Sequence, residues 1–133
     1  MSILTQNTIS KKISIEGIGI HTGLKAQLHV LPAQPNTGII FKRTDIKKNN
    51  IILPTYNNVV DATLCTTISN DYGVKVSTIE HLMGAFYGLG IDNAIVEINT
   101  QEIPIMDGSA KKFVELILKA GIQTSETPIK IIK

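Results

Sequence analysis

The chain has 133 residues and a mass of 14.5 kDa, which fits a single domain able to bury roughly two thirds of its unfolded surface. Hydrophobic residues make up 43% of the sequence and charged residues 18%, so the chain is globular and not intrinsically disordered. The net charge of +2 is too small to indicate nucleic-acid binding, and the single cysteine, Cys65, excludes an intrachain disulfide and a thiolate zinc cluster.

No targeting signal is predicted at the start of the chain. The N-terminal segment lacks the basic stretch and the following apolar core of a signal peptide. No apolar run is long enough to cross a bilayer, so no transmembrane segment is predicted. Since a lone cysteine suits a reducing compartment, the sequence predicts a cytoplasmic protein.

Short apolar or alternating segments between turn residues predict strands in the first half of the chain. These predicted strands are residues 8–15, 26–31, 39–41, 51–53 and 64–69. Proline and glycine in residues 32–38 mark a connecting loop. The charged residues between 42 and 48 are typical of a solvated surface.

The turn at residues 17–23 holds three glycines close to His21. Their spacing differs from that of a dinucleotide-binding fingerprint and no helix pattern follows them, so nucleotide binding is excluded here. Glycines this close together allow a positive φ or a close backbone approach, which would fix the direction of the loop. His21 is therefore a candidate for lining a site, and the alternative is an ordinary turn histidine.

Glu80 and His81 are the adjacent residues whose chemistry points most directly to a reaction. Imidazole is the commonest metal ligand, and a carboxylate beside a metal-bound water is the usual base for deprotonating that water. Ser77 offers a second interpretation, a capping box in which Glu80 only closes the first turn of a helix. The motif alone leaves both interpretations open.

After this motif the apolar period changes to three and four residues, which predicts a helix over residues 78–87 that stops at the glycine-containing segment 88–90. Glu80 and His81 then lie in its first turn, where adjacent side chains diverge by about 100 degrees. The two residues therefore cannot chelate one ion together, but they can supply one ligand and one base.

The second half of the chain completes an α+β pattern. The near-continuous apolar run 91–98 predicts a central strand. A loop over residues 101–108 precedes a second helix, with Ser109 as its N-cap and Gly121 at its end. We expect a two-layer sandwich, one mainly antiparallel sheet with two helices on one face. The side chains predicted to face the sheet are Leu82, Phe86, Phe113, Leu116 and Ile117.

Five ordered segments carry a resemblance to a known family. They read GIGIHTG at residues 17–23, LCTT at 64–67, STIEHL at 77–82, GLGIDN at 88–93 and EIPIMDGSA at 102–110. Together they resemble the N-terminal half of the UDP-3-O-acyl-N-acetylglucosamine deacetylases, the zinc enzymes of lipid A biosynthesis. The resemblance covers the chain up to about Ile122.

The resemblance implies two similar α+β domains with the site between them, of which this chain matches the first. It makes His81 a zinc ligand and Glu80 the general base that deprotonates the attacking water. It also implies that Leu64 and Cys65 contact the substrate near the metal, although Cys65 could instead be a small buried apolar residue. Asp107 is expected at a turn or at the start of a helix.

Residues 1–127 are accordingly predicted to form an N-terminal deacetylase domain. Residues 128–133, where a new alternating pattern begins, are predicted to start a second domain. The family's remaining zinc ligands, a histidine and an aspartate, would come from that C-terminal domain, which is therefore an expected partner. The implied substrate is a UDP-linked acylated glucosamine, and the isolated chain is expected to be inactive and to bind zinc weakly.

Two other function classes stay open beside the deacetylase. A non-catalytic binding or interaction module could use the same fold without any chemistry. A cysteine hydrolase built on Cys65 and His81 is disfavoured, because the family-specific signatures around a nucleophilic cysteine are absent.

Overall fold

The structure, a computed structural model, describes residues 4–129. Within these residues the chain forms ten strands and two α-helices. The strands are β1 (Thr5–Ile9), β2 (Ile13–Ile18), β3 (Lys25–Pro32), β4 (Ile39–Arg43), β5 (Ile51–Ile52), β6 (Val59–Asp61), β7 (Thr67–Ser69), β8 (Lys75–Ser77), β9 (Ala94–Ile98) and β10 (Ile122–Pro128). The helices are α1 (Glu80–Leu89) and α2 (Lys111–Ala120), one on each side of β9 in the chain.

The central sheet has five strands in the order β2-β3-β9-β4-β5. Its neighbouring strands are antiparallel except for β4 and β9, which are parallel. β9 lies in the middle, which confirms the position predicted from its apolar run. The strand begins at Ala94 and not at Ile91, because the N–H groups of Asp92 and Asn93 donate to Asn7 O, outside the ladder.

The α+β fold with two helices is confirmed, but the expected single sheet is divided into three. Strands β6, β7 and β8 form an antiparallel sheet of their own, and β1 pairs with β10. The strand predicted over residues 8–15 is in fact two strands. The chain turns between them because Ser10 N donates to Gly121 O at 2.8 Å and not to a ladder partner.

Both helices pack into the core on one face of the central sheet. Leu82, Phe86, Phe113 and Ile117 are each 1% exposed and share one apolar cluster with the inward side chains of β2, β3 and β9. Leu116 is half-buried against the same cluster. The other positions of β2 and β3 are more exposed, as expected for a sheet with one covered face. The predicted packing of the helices is confirmed.

α1 ends at a glycine in the left-handed conformation. Gly90 has a φ of +69°, and the N–H of Ile91 donates to Phe86 O at 2.9 Å, which closes the last turn. The helix therefore runs to Leu89, two residues beyond the predicted end. Within residues 4–129, neither helix has the length and apolar character needed to span a membrane.

β10 is a strand that the sequence does not predict, because its residues are mainly polar and lack clear alternation. It lies antiparallel to β1, with Pro128 opposite Thr5 and the N–H of Ile129 donating to Leu4 O at 3.0 Å. Of the segment predicted to start a second domain, residues 130–133 lie outside the described residues.

Candidate active site

Glu80 and His81 lie in the first turn of α1, and both side chains are half-buried. The helix begins at Glu80, later than predicted, because Thr78 has a φ of +61° and cannot join a right-handed helix. A buried β-branched residue in this conformation stores about 1–3 kcal/mol of strain. The candidate reactive pair therefore follows directly on a strained turn of the backbone.

The capping box that the sequence left open does not form. Ser77 belongs to β8, where its Oγ accepts a hydrogen bond from Thr67 Oγ1 at 3.0 Å. The N-cap of α1 is Ile79, which makes no side-chain hydrogen bond. The Glu80 carboxylate reaches away from its own helix, and its Oε2 accepts the N–H of Thr66 at 2.9 Å. Glu80 is thus held by another segment of the chain.

This hydrogen bond brings the segment of Leu64 and Cys65 beside the first turn of α1. The Leu64 side chain is 84% exposed although it is large and apolar. Cys65 is half-buried, and its Sγ lies 3.9 Å from Thr67 Oγ1. Among the described residues, Thr67 and not His81 is the polar partner of this thiol, which disfavours a Cys-His hydrolase.

Zinc is the metal that the family resemblance implies, and the donors can be tested against it. A half-exposed imidazole next to an oriented carboxylate suits one metal ligand and one base. Across residues 4–129, however, no three His, Cys, Asp or Glu side chains are grouped so that they could hold a metal ion. The described part of the chain therefore lacks the set of three protein ligands that a catalytic zinc site takes.

Glu102 is the residue of this region that the sequence did not reveal. It is fully buried, at 0% exposure. Its carboxylate accepts the N–H of Thr22 at 2.9 Å, the N–H of His21 at 3.0 Å and the hydroxyl of Thr78 at 2.8 Å. Burial raises the pKa of Glu102, but these donors outweigh it and hold the pKa below its usual value.

The sequence carried only a weak signal for this carboxylate. Glu102 stands in a loop and is followed by apolar residues, with no partner at a helical or metal-ligand spacing. All three donor residues lie at least 24 positions away in the chain. The nearest signal is the resemblance of residues 102–110 to a family motif, which marks the segment but does not indicate the role of Glu102.

The glycine turn after β2 is shaped around the same carboxylate. A Cβ at Gly19 would overlap Glu102 Oε1 and would lie 2.6 Å from Thr22 Oγ1. Gly23 has a φ of +68°. Both uses of glycine expected for this turn, close approach and positive φ, are confirmed. The His21 side chain is exposed at the turn, so its own role stays a prediction.

Thr66 ties the two acidic residues to one peptide segment. Its N–H donates to Glu80 Oε2, while its C=O accepts the N–H of Thr78 at 2.9 Å and that of Ile79 at 3.4 Å. Thr78 in turn donates its hydroxyl to Glu102. A continuous path of hydrogen bonds therefore runs from the buried Glu102 to the half-buried Glu80.

Asp107 takes the structural role expected of it. Its Oδ1 accepts the N–H of Ser109 at 3.1 Å and the hydroxyl of Ser109 at 2.9 Å, closing a turn before α2. The hydrogen bonds from Ser109 lower the pKa of Asp107. Ser109 itself is not the N-cap, because α2 begins at Lys111 after Ala110, but its Oγ accepts the N–H of Lys111 at 3.2 Å.

Sequence comparison relates this arrangement to known proteins. The model of the LpxC family, described as UDP-3-O-acyl N-acetylglycosamine deacetylase, matches residues 6–133. The chain belongs to this family. The match includes Glu80, His81 and Glu102, and it confirms the resemblance that the five short segments predict.

Curated LpxC relatives, each named UDP-3-O-acyl-N-acetylglucosamine deacetylase, are similar to nearly all of this chain. Those of Haemophilus influenzae (strain 86-028NP) and Shewanella sp. (strain W3-18-1) are 45% identical to it over 131 residues. That of Haemophilus ducreyi (strain 35000HP) is 46% identical over 131 residues. Each alignment covers 98% of this chain but only 43% of the relative. The chain thus spans less than half the length of these LpxC proteins.

Proposed function

We propose that this chain is the N-terminal part of a zinc-dependent amidohydrolase. The complete enzyme would remove the N-acetyl group from UDP-3-O-acyl-N-acetylglucosamine in lipid A biosynthesis, in the cytoplasm. The observation that carries this proposal is the family match over residues 6–133. Relatives of the same name that are 45–46% identical support it. The position of Glu80 and His81 in the first turn of α1 supports the residue roles proposed below.

Glu80 is proposed as the general base. Its Oε2 is fixed by the N–H of Thr66, whereas Oε1 accepts no hydrogen bond from the described residues. A carboxylate held at one oxygen keeps its direction and leaves the other oxygen to take a proton from water. This division of roles between the two oxygens favours a base over the capping role, which would occupy the carboxylate within its own helix.

His81 is proposed as a zinc ligand, and the other protein ligands would come from the C-terminal domain. When bound, zinc supplies Lewis acidity for the acetamide carbonyl and lowers the pKa of the attacking water. His81 would hold the metal with its neutral imidazole at the start of α1, next to the base. Because the two side chains diverge around the helix, Glu80 would not chelate the metal together with His81 and would stay available as the base.

Leu64 and Cys65 are proposed to contact the substrate. They immediately precede Thr66, whose N–H orients the base, so a molecule bound at the reacting centre would pass close to them. The 84% exposure of Leu64 leaves an apolar side chain available for the acyl chain of the substrate or for the C-terminal domain. Burying it would contribute about 1.5–3 kcal/mol.

The test compares variants of the complete enzyme that contains this segment. Glu80→Ala should lower deacetylation roughly 100- to 10,000-fold while zinc stays bound, because a general base acts on the barrier and does not hold the metal. His81→Ala should instead lower the zinc content measured after dialysis. Glu115→Ala, an exposed glutamate on α2, is the matched control and should keep full activity. Turnover of Glu80→Ala near that of the control would refute the base assignment.

A further inference from the structure

Glu102 joins three segments of the chain that are far apart in sequence. Its backbone runs beside the end of β8, where Ser77 N donates to Gln101 O at 2.7 Å and Ile103 N donates to Ser77 O at 3.1 Å. Its side chain binds the turn of His21 and Thr22 on one side and Thr78 on the other. The β2–β3 turn, the loop after β9 and the residues before α1 therefore meet at one carboxylate.

The chemistry of this carboxylate is unusual for a purely structural residue. In the described part of the chain, no lysine or arginine forms an ion pair with it. A buried carboxylate with no cation is costly, and apolar residues of similar volume often stabilise a fold at least as well. What a carboxylate adds here is geometry, because two oxygens can hold several donors in fixed directions.

The donor that matters for the site is the hydroxyl of Thr78. This residue is 3% exposed and has the left-handed φ of +61°, a conformation that persists only when its surroundings enforce it. Glu102 binds its side chain, and Thr66 O binds its N–H. Thr78 lies two positions before Glu80, so its conformation sets where α1 begins and how the first turn is directed.

We infer that Glu102 is a positioning residue for the deacetylation proposed above, acting through Thr78 to fix the direction in which α1 presents Glu80 and His81. This inference rests on the proposed function and adds a residue to it. Groups that orient a ligand or a base from behind typically contribute 10- to 100-fold to activity or metal affinity. Neither Glu102 nor Thr78 needs to touch the substrate for this role.

The experiment uses the complete zinc enzyme, with one substitution at Glu102 and two at Thr78. Glu102→Gln keeps the size of the side chain but removes its charge and one acceptor oxygen. Thr78→Val removes the hydroxyl and keeps the branched shape, whereas Thr78→Ser keeps the hydroxyl. We expect Glu102→Gln and Thr78→Val to lower kcat roughly 10- to 100-fold, with KM changed less than about threefold. Thr78→Ser should stay within about threefold of wild type.

Zinc affinity of the metal-free enzyme, measured by competition with a chelator, gives a readout that does not depend on turnover. A misdirected His81 should weaken zinc binding in Glu102→Gln and in Thr78→Val by a similar roughly 10- to 100-fold. If Glu102 acts through Thr78, the double variant Glu102→Gln/Thr78→Val should bind zinc no more than about threefold more weakly than the more affected of the two single variants. If the affinity losses of the two single variants instead multiply in the double variant, Glu102 does not act through Thr78 and the inference is wrong.

Asp92→Asn is the matched control for lost stability. Asp92 Oδ2 accepts the N–H of Asn7 at 2.7 Å, beyond the other end of α1, so the same loss of charge occurs far from the site. This variant should lower Tm but keep kcat within about twofold of wild type. An equal fall of kcat in Asp92→Asn and Glu102→Gln would show that general destabilisation, and not positioning, lowers activity.

The outcomes separate this inference from the function on which it rests. A wild-type enzyme that deacetylates only with zinc supports the proposed function, and an inactive wild type refutes it before any variant is compared. With an active wild type, unchanged kcat and zinc affinity in Glu102→Gln overturn the inference alone. If Glu102→Gln does not fold, the pair Thr78→Val and Thr78→Ser decides, and equal kcat and zinc affinity in that pair also overturn it.

Discussion

Gly19→Ala tests whether the buried carboxylate is packed as tightly as its contacts indicate. Gly19 is buried in the turn, and an added Cβ would overlap Glu102 Oε1 and lie 2.6 Å from Thr22 Oγ1. The φ of Gly19 is not in the positive range that glycine alone favours. The substitution therefore adds a steric clash without adding backbone strain, so its cost reports the packing around the carboxylate.

The magnitude follows from what must move to relieve the clash. If Glu102 moves away, the hydrogen bonds from Thr22 N and His21 N are lost or lengthened, and each bond to a charged group contributes about 1.5–3 kcal/mol. If it does not move, overpacking costs about 1–3 kcal/mol. We expect the free energy of unfolding to fall by about 1–3 kcal/mol if the carboxylate stays in place, and by about 2–4 kcal/mol if it moves and its hydrogen bonds lengthen.

The assay is urea unfolding of the purified chain, followed by far-UV circular dichroism. With an m-value of about 2 kcal/mol/M, the midpoint should fall by roughly 0.5–2 M. Gly84→Ala in α1 is the matched control, because a Cβ there meets nothing within 4 Å and alanine favours a helix by about 1 kcal/mol. The control should raise the midpoint. A Gly19→Ala midpoint equal to wild type would show that the pocket adapts freely and refute the reasoning.

Three further predictions concern acid, packing and metal. The lowered pKa of Glu102 contributes stability above its usual pKa of about 4.5, and this contribution is lost as pH falls through the folded pKa. Glu102→Gln should therefore flatten the acid limb of a stability–pH profile. Phe113→Ala should lower the free energy of unfolding by about 3–5 kcal/mol in urea melts, since Phe113 is 1% exposed. Leu118→Ala, on the exposed side of the same helix, should change it by less than about 0.5 kcal/mol. The isolated chain should bind zinc only weakly in calorimetry and show no turnover in a deacetylation assay. Submicromolar zinc binding that is lost in His81→Ala would contradict this.

The parts of the fold that were predictable are those governed by local periodicity. The buried stripes of the two helices and the central strand follow from spacing alone, because a helix or strand must place its apolar residues on one side. The division into three sheets was not predictable from spacing. It depends on contacts such as Ser10 N to Gly121 O, between residues 111 positions apart, which no local pattern encodes.

The candidate site shows the same limit at the level of single residues. Glu80 and His81 stand out in the sequence as a chemical pair, but the sequence does not decide whether Ser77 caps the helix, because capping depends on the φ of Thr78. That φ is set by hydrogen bonds from Thr78 to Glu102 and to Thr66. The role of Glu102 is not predictable from the sequence for a related reason, since its donors lie 80 and 81 positions away in the glycine turn and 24 positions away at Thr78.

The two glutamates differ in how completely their oxygens are occupied, and this difference matches the two roles proposed for them. Both oxygens of Glu102 accept hydrogen bonds inside the core, so protonating it would require breaking at least one of them. Glu80 accepts one hydrogen bond from the described residues, at Oε2, and is only half-buried. A base must gain and release its proton at each turnover, which a fully occupied carboxylate cannot do without disturbing its neighbours. Thr66 therefore connects the buried Glu102, through Thr78, to the proposed base Glu80. A shift of the Thr66 peptide would move Glu80 and Thr78 together.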